Sequence, residues 1–337
     1  MHSGVTSCGT GSPPPTQHLP EGGMDHHSLK SVPKVSVVIP CHNAERWLGK
    51  AIRSALNQSS GRPEVIVVDD ASTDGSVDVA KSFGADVLLI RGEWRNGNSA
   101  RNQGLNVATG SWIQFLDADD MLRPDKILAQ MSASEASDDV VYSPLIVREE
   151  ATDGTICESV SNPTGSDLNE QWLRWELCQT GAALWRTESL RKLGGWKESL
   201  PCCQDNEVTL RALMHGFQFR YVDTPGAVYR IWSEMTVCRK DPRRVIHQKT
   251  ALIDEFLLWL EKEGRMTDLY RGVAGQACFE MARTLAKYDL SEAQGYFHSR
   301  RRKDLITVSG PAAPRSYRLI QSLAGFSNAE RVAAWIR

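Results

Sequence analysis

Short runs of β-branched and apolar residues alternate with helical patterns along the first part of the chain. The runs Val35–Ile39, Val65–Val68 and Asp86–Ile90, and the run that begins at Trp112, predict four buried strands. The segments between them carry apolar residues at helical spacing, as in residues 44–57. Strands that alternate with helices at this spacing predict an α/β fold with a mainly parallel sheet flanked by helices.

The rest of the chain shows a weaker pattern. Further strands are predicted at Val140–Ser143, Ala182–Trp185, Phe219–Val222 and Ala227–Arg230. Between Ser143 and about Asp167 the pattern is irregular. From about residue 239 to the end, the pattern is largely helical and closes on an amphipathic segment, which predicts a helical C-terminal region, 239–337. Residues 1–33 are rich in Gly, Pro, Ser and His, and we expect a disordered tail there.

The composition is that of a globular protein and argues against a nucleic-acid partner and a membrane span. Of the 337 residues, 41% are hydrophobic and 24% are charged, and the formal net charge is −2. This near-neutral balance does not suggest a nucleic-acid partner. No apolar run approaches the roughly 18 residues that span a bilayer. The eight scattered cysteines are typical of free thiols in a reducing cytosol, so we expect a cytoplasmic protein.

Three carboxylates follow the fourth predicted strand: Asp117, Asp119 and Asp120. Neighbouring carboxylates repel, and burying them unpaired costs several kcal/mol. Asp117 and Asp119 are two residues apart, so in an extended chain they share one face. Hard oxygen ligands suit Mg²⁺ or Mn²⁺, which then binds a diphosphate. The alternative is a helix start, in which Asp119 or Asp120 caps the helix that Pro124 opens.

Candidate site residues also lie at the ends of two other strands of this sheet. Pro40 ends the first strand, and Asp69 and Asp70 end the second. In parallel α/β sheets, ligands bind beyond the carboxyl ends of the strands, where these residues and the three aspartates would meet. No GxGxxG follows the first strand, which argues against a dinucleotide-binding Rossmann domain.

Four motifs occur in order along this half of the chain. They are VSVVIPCHN at 35–43, VDDASTDGS at 68–76, ARNQG at 100–104 and FLDADD at 115–120. Together they resemble glycosyltransferase family 2, whose members are inverting enzymes of the GT-A fold. The resemblance is strong over 34–131 and weaker to Arg230. It implies a glycosyltransferase domain at 34–238, with a nucleotide-binding half at 34–131 and an acceptor half at 132–238.

The resemblance implies a donor site for a nucleotide-diphospho-sugar, with a UDP-sugar as the first candidate. Asp70 resembles the carboxylate that accepts a hydrogen bond from the nucleotide base, and Pro40 and His42 fall where the loop after the first strand holds the nucleoside. Arg101 resembles the basic residue of the donor pocket. Its alternative is a salt bridge on a helix surface.

The same resemblance implies a metal cofactor, Mn²⁺ or Mg²⁺. Asp117 resembles the first aspartate of the DxD motif, near the ribose and metal, and Asp119 resembles the second, which binds the metal on the diphosphate. Many relatives have a histidine, which can complete the metal site, where this chain has Trp232. Tryptophan cannot bind a metal, so the site is open to water, another residue serves, or donor binding is weakened.

The catalytic base implied by the resemblance is Asp205. Relatives place an acidic pair, Glu-Asp, at the start of a helix, and here the pair is Gln204-Asp205. A helix cap is the structural alternative for Asp205. Glu207 is its rival as a base, and the alternative role of Glu207 is an ion pair with Arg211, four residues on.

Several tryptophans fall in the acceptor-facing region of relatives. Aromatic rings stack on sugars, but core packing is the commoner use of Trp. We expect Trp185 in the core and leave Trp196 open between the two roles. Trp172 and Trp175 carry the same two alternatives.

The leading interpretation is a metal-assisted inverting glycosyltransferase of polysaccharide or glycan biosynthesis, with a carbohydrate or lipid-linked acceptor. A sugar-phosphate nucleotidyltransferase is disfavoured because residues 40–43 lack the glycines and cations that hold a triphosphate. A phospho-receiver domain would leave Asp117 and Asp119 unexplained. A non-catalytic nucleotide- or glycan-binding relative remains open because of Trp232 and Gln204.

The end of the chain carries Trp335 and Ile336 close to arginines. Such a segment is able to lie on the cytoplasmic face of a membrane, although ordinary packing is the alternative.

Overall fold

The computed structural model describes residues 35–151, 153–232 and 241–336. The predicted tail, 1–33, lies outside the described residues. The strands are β1 Val35–Cys41, β2 Glu64–Asp70, β3 Val87–Gly92, β4 Trp112–Phe115, β5 Met121–Leu122, β6 Val140–Tyr142, β7 Leu145–Glu150, β8 Ile156–Ser161, β9 Ala183–Arg186, β10 Phe219–Tyr221 and β11 Ala227–Ile231.

The helices alternate with these strands and then continue alone to the end of the described chain. They are α1 Glu45–Leu56, α2 Ser76–Lys81, α3 Gly97–Val107, α4 Lys126–Ala133, α5 Leu168–Leu173, α6 Thr187–Lys192, α7 Gln204–Met214, α8 Pro242–Lys262, α9 Asp268–Leu285, α10 Leu290–Arg302 and α11 Arg315–Ile336.

A seven-stranded sheet forms the centre, in the order β10-β6-β9-β4-β1-β2-β3. The β1 strand pairs in parallel with β2 and β4, and β2 pairs in parallel with β3. Only β9 runs antiparallel to its neighbours, β4 and β6. The predicted α/β fold with a mainly parallel sheet is confirmed, and the carboxyl ends of β1, β2 and β4 share one edge.

A smaller sheet has the order β5-β11-β7-β8, and its strands β7 and β8 lie where the sequence predicts an irregular segment. That prediction is wrong for Leu145–Glu150 and Ile156–Ser161, which pair as an antiparallel ladder. All six residues of β8 are exposed, so it shows no alternation of apolar and polar positions. Backbone pairing and the ion pair of Arg148 with Glu158 form this strand instead.

Helix α3 packs closely on β1. A Cβ at Gly104 would lie 2.2 Å from Cγ1 of Val38, so only glycine allows this approach. Val38 is fully buried, as is most of β1. The ARNQG motif therefore fixes the position of α3, and with it the position of Arg101.

The predicted C-terminal helices are present. In α8, Phe256 is buried and packs edge to face on Trp172 of α5, with ring centroids 4.9 Å apart. Helix α11 is kinked at Gly325, where φ is 80°. Among the described helices, none combines the length and the apolar character that crossing a bilayer requires.

Candidate active site

A cleft of about 1360 Å³ opens at the carboxyl ends of β1, β2 and β4. All seven predicted site residues line it: Pro40, His42, Asp70, Arg101, Asp117, Asp119 and Asp205. The first turn of α7, the end of β11 and the first half of α8 complete the wall. Topology brings these segments together, as expected for ligand sites in parallel α/β sheets.

Asp70 organises the loop that follows β3. Its carboxylate accepts three hydrogen bonds of 2.7 Å from the backbone N–H groups of Trp94, Arg95 and Asn96. A carboxylate offers about four acceptor positions, so one remains for a ligand. Asp70 thus shapes the cleft as well as facing it.

His42 joins the ends of the first two strands. Its Nδ1 donates to the carbonyl oxygen of Asp70 at 2.6 Å, and Nδ2 of Asn43 donates to its Nε2 at 3.3 Å. Pro40, expected to end β1, lies within the strand, which continues to Cys41. Its register partner is Val68 of β2.

Arg101 forms an ion pair inside the cleft. Its Nη2 donates to Oδ1 of Asp117 at 2.6 Å, and its Nη1 donates to Oδ1 of Asn98 at 3.2 Å. The guanidinium lies 4.9 Å from the ring centroid of the buried Trp196, which packs edge to face on Phe115. Trp196 is therefore a core residue that supports Arg101. The salt bridge expected as the alternative for Arg101 exists, but it lies in the cleft rather than on a helix surface.

Asp119 receives a hydrogen bond from an indole. Nε1 of Trp232 donates to its Oδ2 at 3.0 Å. Burial raises the pKa of Asp119, the bond from Trp232 opposes that rise, and the charge of Asp117 adds to it. The chain thus supplies a proton donor to this carboxylate where the resemblance implies a metal ligand.

Asp120 is buried and accepts a hydrogen bond from the neighbouring strand β11. Its Oδ1 accepts a hydrogen bond of 2.9 Å from the backbone N–H of Arg230, and burial raises its pKa well above the ordinary value. The helix-start interpretation is wrong for Asp119 and Asp120, because the next helix, α4, begins at Lys126 and has Asp125 at its N-cap.

Arg230 joins β11 to the neighbouring strand β7 through an ion pair. It is 3% exposed, makes a bidentate ion pair with Glu150 and lies 3.9 Å from the ring centroid of Trp47. Trp47 also packs against Trp232, with ring centroids 5.4 Å apart. The sequence marks Trp47 only as an apolar position of α1, so its place in the cleft wall was not predicted.

The carboxylates of Asp117 and Asp119 suit a divalent cation that takes its remaining ligands from the substrate. Within the part of the chain that the structure describes, no group of three or more His, Cys, Asp or Glu side chains is arranged to hold a metal. Asp117 and Asp119 each use one carboxylate oxygen in the contacts above and keep another. Mg²⁺ commonly binds through one or two carboxylates together with substrate phosphates. These two residues fit that arrangement and no fuller one.

Asp205 and Glu207 have separate environments. Asp205 lies in the first turn of α7, lines the cleft and accepts a hydrogen bond of 2.9 Å from the N–H of Asn206. Burial raises its pKa; Asn206, Arg101 and Lys249 oppose the rise, whereas Asp117 adds to it. Glu207 is buried in a bidentate ion pair with Arg211, at 2.6 and 2.9 Å, which is the structural role expected as its alternative.

Strained backbone concentrates at this cleft. Among the described residues, six other than glycine have a positive φ, and four of them line the cleft: Asn43, Arg95, Trp175 and Cys203. Such conformations cost about 1–3 kcal/mol each and cluster at functional sites. Cys203 directly precedes α7 and sets the direction in which the first turn, with Asp205, enters the cleft.

The tryptophans expected near an acceptor divide between core and cleft. Trp185 is buried, as predicted, and Trp172 is buried as well. Trp175 lines the cleft, where its ring meets Lys249 of α8. Lys249 carries no sequence signal, because it lies in a long helix with ordinary amphipathic spacing, outside every motif.

Comparison with known proteins finds a family match in the first part of the chain. The family model described as glycosyl transferase family 2 matches residues 36–194. A glycosyltransferase of Haemophilus influenzae without assigned specificity is 38% identical over 106 residues, which are 30% of this chain and 42% of that protein. The chain therefore matches less than half the length of this relative.

Two solved structures share the fold. TarS 1–349 of Staphylococcus aureus, in complex with UDP-GlcNAc, has a TM-score of 0.51 at 18% identity and covers 81% of this chain and 88% of its own. The mannosyltransferase PcManGT of Pyrobaculum calidifontis, in complex with GDP-Man and Mn²⁺, has a TM-score of 0.53 at 18% identity and covers 90% of this chain and 87% of its own. Residues 36–194 therefore match glycosyl transferase family 2, and the chain shares the GT-A fold of these two structures.

Proposed function

We propose that this protein transfers a sugar from a nucleotide-diphospho-sugar to an acceptor hydroxyl, with inversion, and that Asp205 is the catalytic base. One observation carries the proposal. A single cleft holds the Arg101–Asp117 ion pair, Asp119 and the carboxylate of Asp205. A base for the acceptor thus faces the groups expected to hold the donor, which an in-line displacement requires.

The nucleotide half, 34–131, supplies the donor groups in this proposal. A second pocket of about 910 Å³ adjoins the cleft and includes His42, Asp70 and the loop from Ala71 to Thr73. The nucleoside occupies this region beside Pro40, with the remaining acceptor position of Asp70 facing the base. TarS binds UDP-GlcNAc and PcManGT binds GDP-Man, so UDP and GDP sugars are the first donors to test.

Asp117 and Asp119 would hold Mn²⁺ or Mg²⁺ together with the diphosphate. When bound, such a cation stabilises the negative charge that develops on the leaving nucleoside diphosphate. Arg101 faces the same charge from the side of α3, where the Trp196 ring and Asp117 hold its guanidinium. Asp119 has to be ionised for this role, and the N–H of Trp232 favours that ionised form.

Asp205 accepts the proton of the attacking hydroxyl. A base near the operating pH is most effective, and burial moves the pKa of Asp205 upward in that direction. The acceptor half, 132–238, presents this carboxylate on the rigid first turn of α7. Glu207 serves the fold through Arg211 and takes no part in the reaction.

A thermal-shift panel tests donor binding. UDP, GDP, dTDP and CDP are each added with and without Mn²⁺, because a ligand that binds only the folded state stabilises it by RT ln(1 + [L]/Kd). We expect one nucleotide to raise the Tm, and Mn²⁺ to enlarge the shift. The variant Asp119→Ala should lose the part that depends on Mn²⁺. If no nucleotide shifts the Tm, the donor site assigned here is wrong.

A non-catalytic nucleotide-binding relative is the second candidate. The bond from Trp232 to Asp119 favours it, because that bond occupies one oxygen of a residue assigned to the metal. The two candidates differ in turnover: the second binds a nucleotide but releases no nucleoside diphosphate from a nucleotide-sugar.

The biological setting proposed is glycan or polysaccharide synthesis on a carbohydrate or lipid-linked acceptor, at the cytoplasmic side. In α11, Leu319, Leu323, Trp335 and Ile336 are exposed, with Trp335 at 88%. Arginines on the same helix, Arg315, Arg318 and Arg331, add positive charge. We propose that this surface lies on an anionic membrane.

A further inference from the structure

The first half of α8 forms a wall of the active-site cleft although it lies beyond the residues that the family model matches. Val245 and Lys249 both line the cleft, and their positions are four apart in the sequence, so they share one face of the helix. The helix is anchored further along by Phe256, which packs on Trp172. The position of Lys249 is thus fixed by the core and not by a mobile surface.

An aromatic ring holds the ammonium group of Lys249. Nζ lies 4.4 Å from the ring centroid of Trp175, a distance at which a cation is attracted to the ring face. Trp175 follows α5 with φ at 61°, a conformation that bulky residues rarely adopt. Its ring also packs against Trp172, with centroids 5.0 Å apart. The backbone therefore keeps a strained conformation that directs this indole under the ammonium group.

The same tryptophan pair connects to the helix of the proposed base. Nε1 of Trp172 donates to the carbonyl oxygen of Asn206 at 2.9 Å, one residue after Asp205. Lys249, Trp175 and Asp205 thus belong to one packed unit at one end of the cleft. This end lies on the α7 and α8 side, whereas Asp119 is approached by Trp232 from the end of β11.

Lys249 brings a positive charge to the wall of the cleft. No carboxylate of the described ranges forms an ion pair with its Nζ, and its contact there is with an uncharged ring. Its field nevertheless reaches Asp205 and Glu280, and burial raises the pKa of both groups while Lys249 opposes that rise. An ammonium group has three N–H donors and binds oxyanions readily.

We propose that Lys249 and Trp175 form an anion subsite beside Asp205, which binds a phosphate or carboxylate group of a reactant. The proposal rests on the proposed glycosyltransferase function. Two sources supply such a group: the diphosphate of the donor, or an acidic group on the acceptor. The shared chemistry is an oxyanion that accepts hydrogen bonds from Nζ in a partly buried cleft.

Binding measurements on the full chain test the subsite without relying on sugar transfer. The probes are inorganic phosphate alone, UDP and GDP with Mn²⁺, and glucose 6-phosphate in the presence of saturating nucleotide. The variants are Lys249→Met, which keeps length and removes charge, and Lys249→Arg, which keeps charge. Lys262→Met, at the exposed end of the same helix, is the matched control.

We expect Lys249→Met to weaken phosphate binding about tenfold or more, since a hydrogen bond to a charged group is worth at least that factor. Lys249→Arg should retain most of the affinity, and Lys262→Met all of it. If the anion belongs to the donor, UDP or GDP binding falls by the same factor. If it belongs to the acceptor, nucleotide binding is unchanged and glucose 6-phosphate binding falls.

The proposal is overturned if Lys249→Met binds phosphate, nucleotides and glucose 6-phosphate within twofold of the unaltered protein. Failure of the proposed function gives a different result: the unaltered protein then releases no nucleoside diphosphate from a nucleotide-sugar, while the phosphate titration still compares Lys249→Met with Lys262→Met. Near-ultraviolet circular dichroism, to which all ten tryptophans contribute, shows whether each variant keeps the packing of the aromatic side chains.

Discussion

The indole of Trp232 donates a 3.0 Å hydrogen bond to the carboxylate of Asp119, although 113 residues separate the two in the chain. An indole N–H donates only and cannot bind a metal. It stabilises the ionised carboxylate through one oxygen and leaves the other for a ligand. In the proposed function, a metal would therefore be held by two carboxylates together with the phosphates of the substrate.

Replacement of Trp232 tests that relationship. Trp232→Phe removes the donor while keeping an aromatic ring against Trp47, so the pKa of Asp119 rises further and Mn²⁺ binding in the presence of nucleotide requires a higher pH. Trp232→His supplies a ligand, and we expect the Mn²⁺ dissociation constant to fall about tenfold, the lower end of the effect of groups around a metal. Calorimetric titration across pH measures both effects.

The matched control for these variants is Trp335→Phe, because Trp335 is 88% exposed and lies on α11. It should leave Mn²⁺ binding unchanged. Equal Mn²⁺ affinity in all three variants and the unaltered protein, at every pH, would show that Asp119 is not a metal ligand.

Asp70 should control the order of the loop at residues 94–96. Asp70→Asn places an amide against three backbone N–H donors, and each unsatisfied buried donor costs about 1–3 kcal/mol. We expect faster amide hydrogen exchange at Trp94, Arg95 and Asn96, a lower free energy of unfolding and a nucleotide affinity reduced about tenfold. Unaltered exchange at these three amides would contradict the assigned role.

The control for Asp70 is Asp86→Asn. Asp86 forms an exposed ion pair with Arg62, and such pairs are worth about 0–1 kcal/mol. The free energy of unfolding of Asp86→Asn should change little, and amide hydrogen exchange at residues 94–96 should stay unchanged.

Asp120 should make stability depend on pH. Burial raises its pKa in the folded state, so its favourable contribution is complete below the unfolded pKa of about 3.9 and is lost as the pH rises through the folded pKa. Asp120→Asn does not titrate and keeps an oxygen for the N–H of Arg230. As the pH rises between the two pKa values, we expect the free energy of unfolding of the variant to increase relative to that of the unaltered protein by about 1.4 kcal/mol per pH unit.

Urea unfolding at a series of pH values measures this difference, with Asp125→Asn as the control because Asp125 is exposed and makes no cap hydrogen bond. A stability difference between Asp120→Asn and the unaltered protein that stays constant with pH would mean that Asp120 does not titrate as described.

The exposed apolar residues of α11 should bind the protein to anionic membranes. The double variant Leu319→Ser, Leu323→Ser changes two exposed residues, 62% and 80% exposed, and leaves the buried Tyr317 and Phe326 in place. We expect the unaltered protein to float with vesicles that contain phosphatidylglycerol, and the variant, or a chain truncated before Ser316, to remain in the dense fraction. Membrane binding would be refuted if the unaltered protein also stays there.

Much of the site was predictable from the hydrophobic pattern of the strands and from the rule that ligands bind at the carboxyl ends of parallel strands. The β-branched runs predict parallel strands, and parallel strands bring Pro40, Asp70 and Asp117 to one edge of the sheet. The base position needs more than pattern, since Asp205 and Glu207 are both acids in the first turn of α7. The ion pair of Glu207 with Arg211 distinguishes them.

The remainder depends on contacts between distant segments. The bond of Trp232 to Asp119 and the approach of Lys249 to Trp175 join parts of the chain that no motif connects. The strands β7 and β8 were missed because β8 is exposed throughout and lacks alternating hydrophobicity. In these places tertiary packing, and not local sequence preference, determines the structure.

The most direct test of the proposed function is the release of nucleoside diphosphate from nucleotide-sugars. The donor is the sugar of the nucleotide that gives the largest thermal shift, and p-nitrophenyl glycosides serve as acceptors. We expect transfer with inverted anomeric configuration, and we expect Asp205→Asn to lower kcat about 10²–10⁴-fold while nucleotide affinity stays within about twofold. Glu207→Gln, the matched control, should lower stability and leave kcat of the folded protein nearly unchanged. Retained configuration, or full turnover by Asp205→Asn, would contradict the assignment of Asp205 as the base of an inverting transfer.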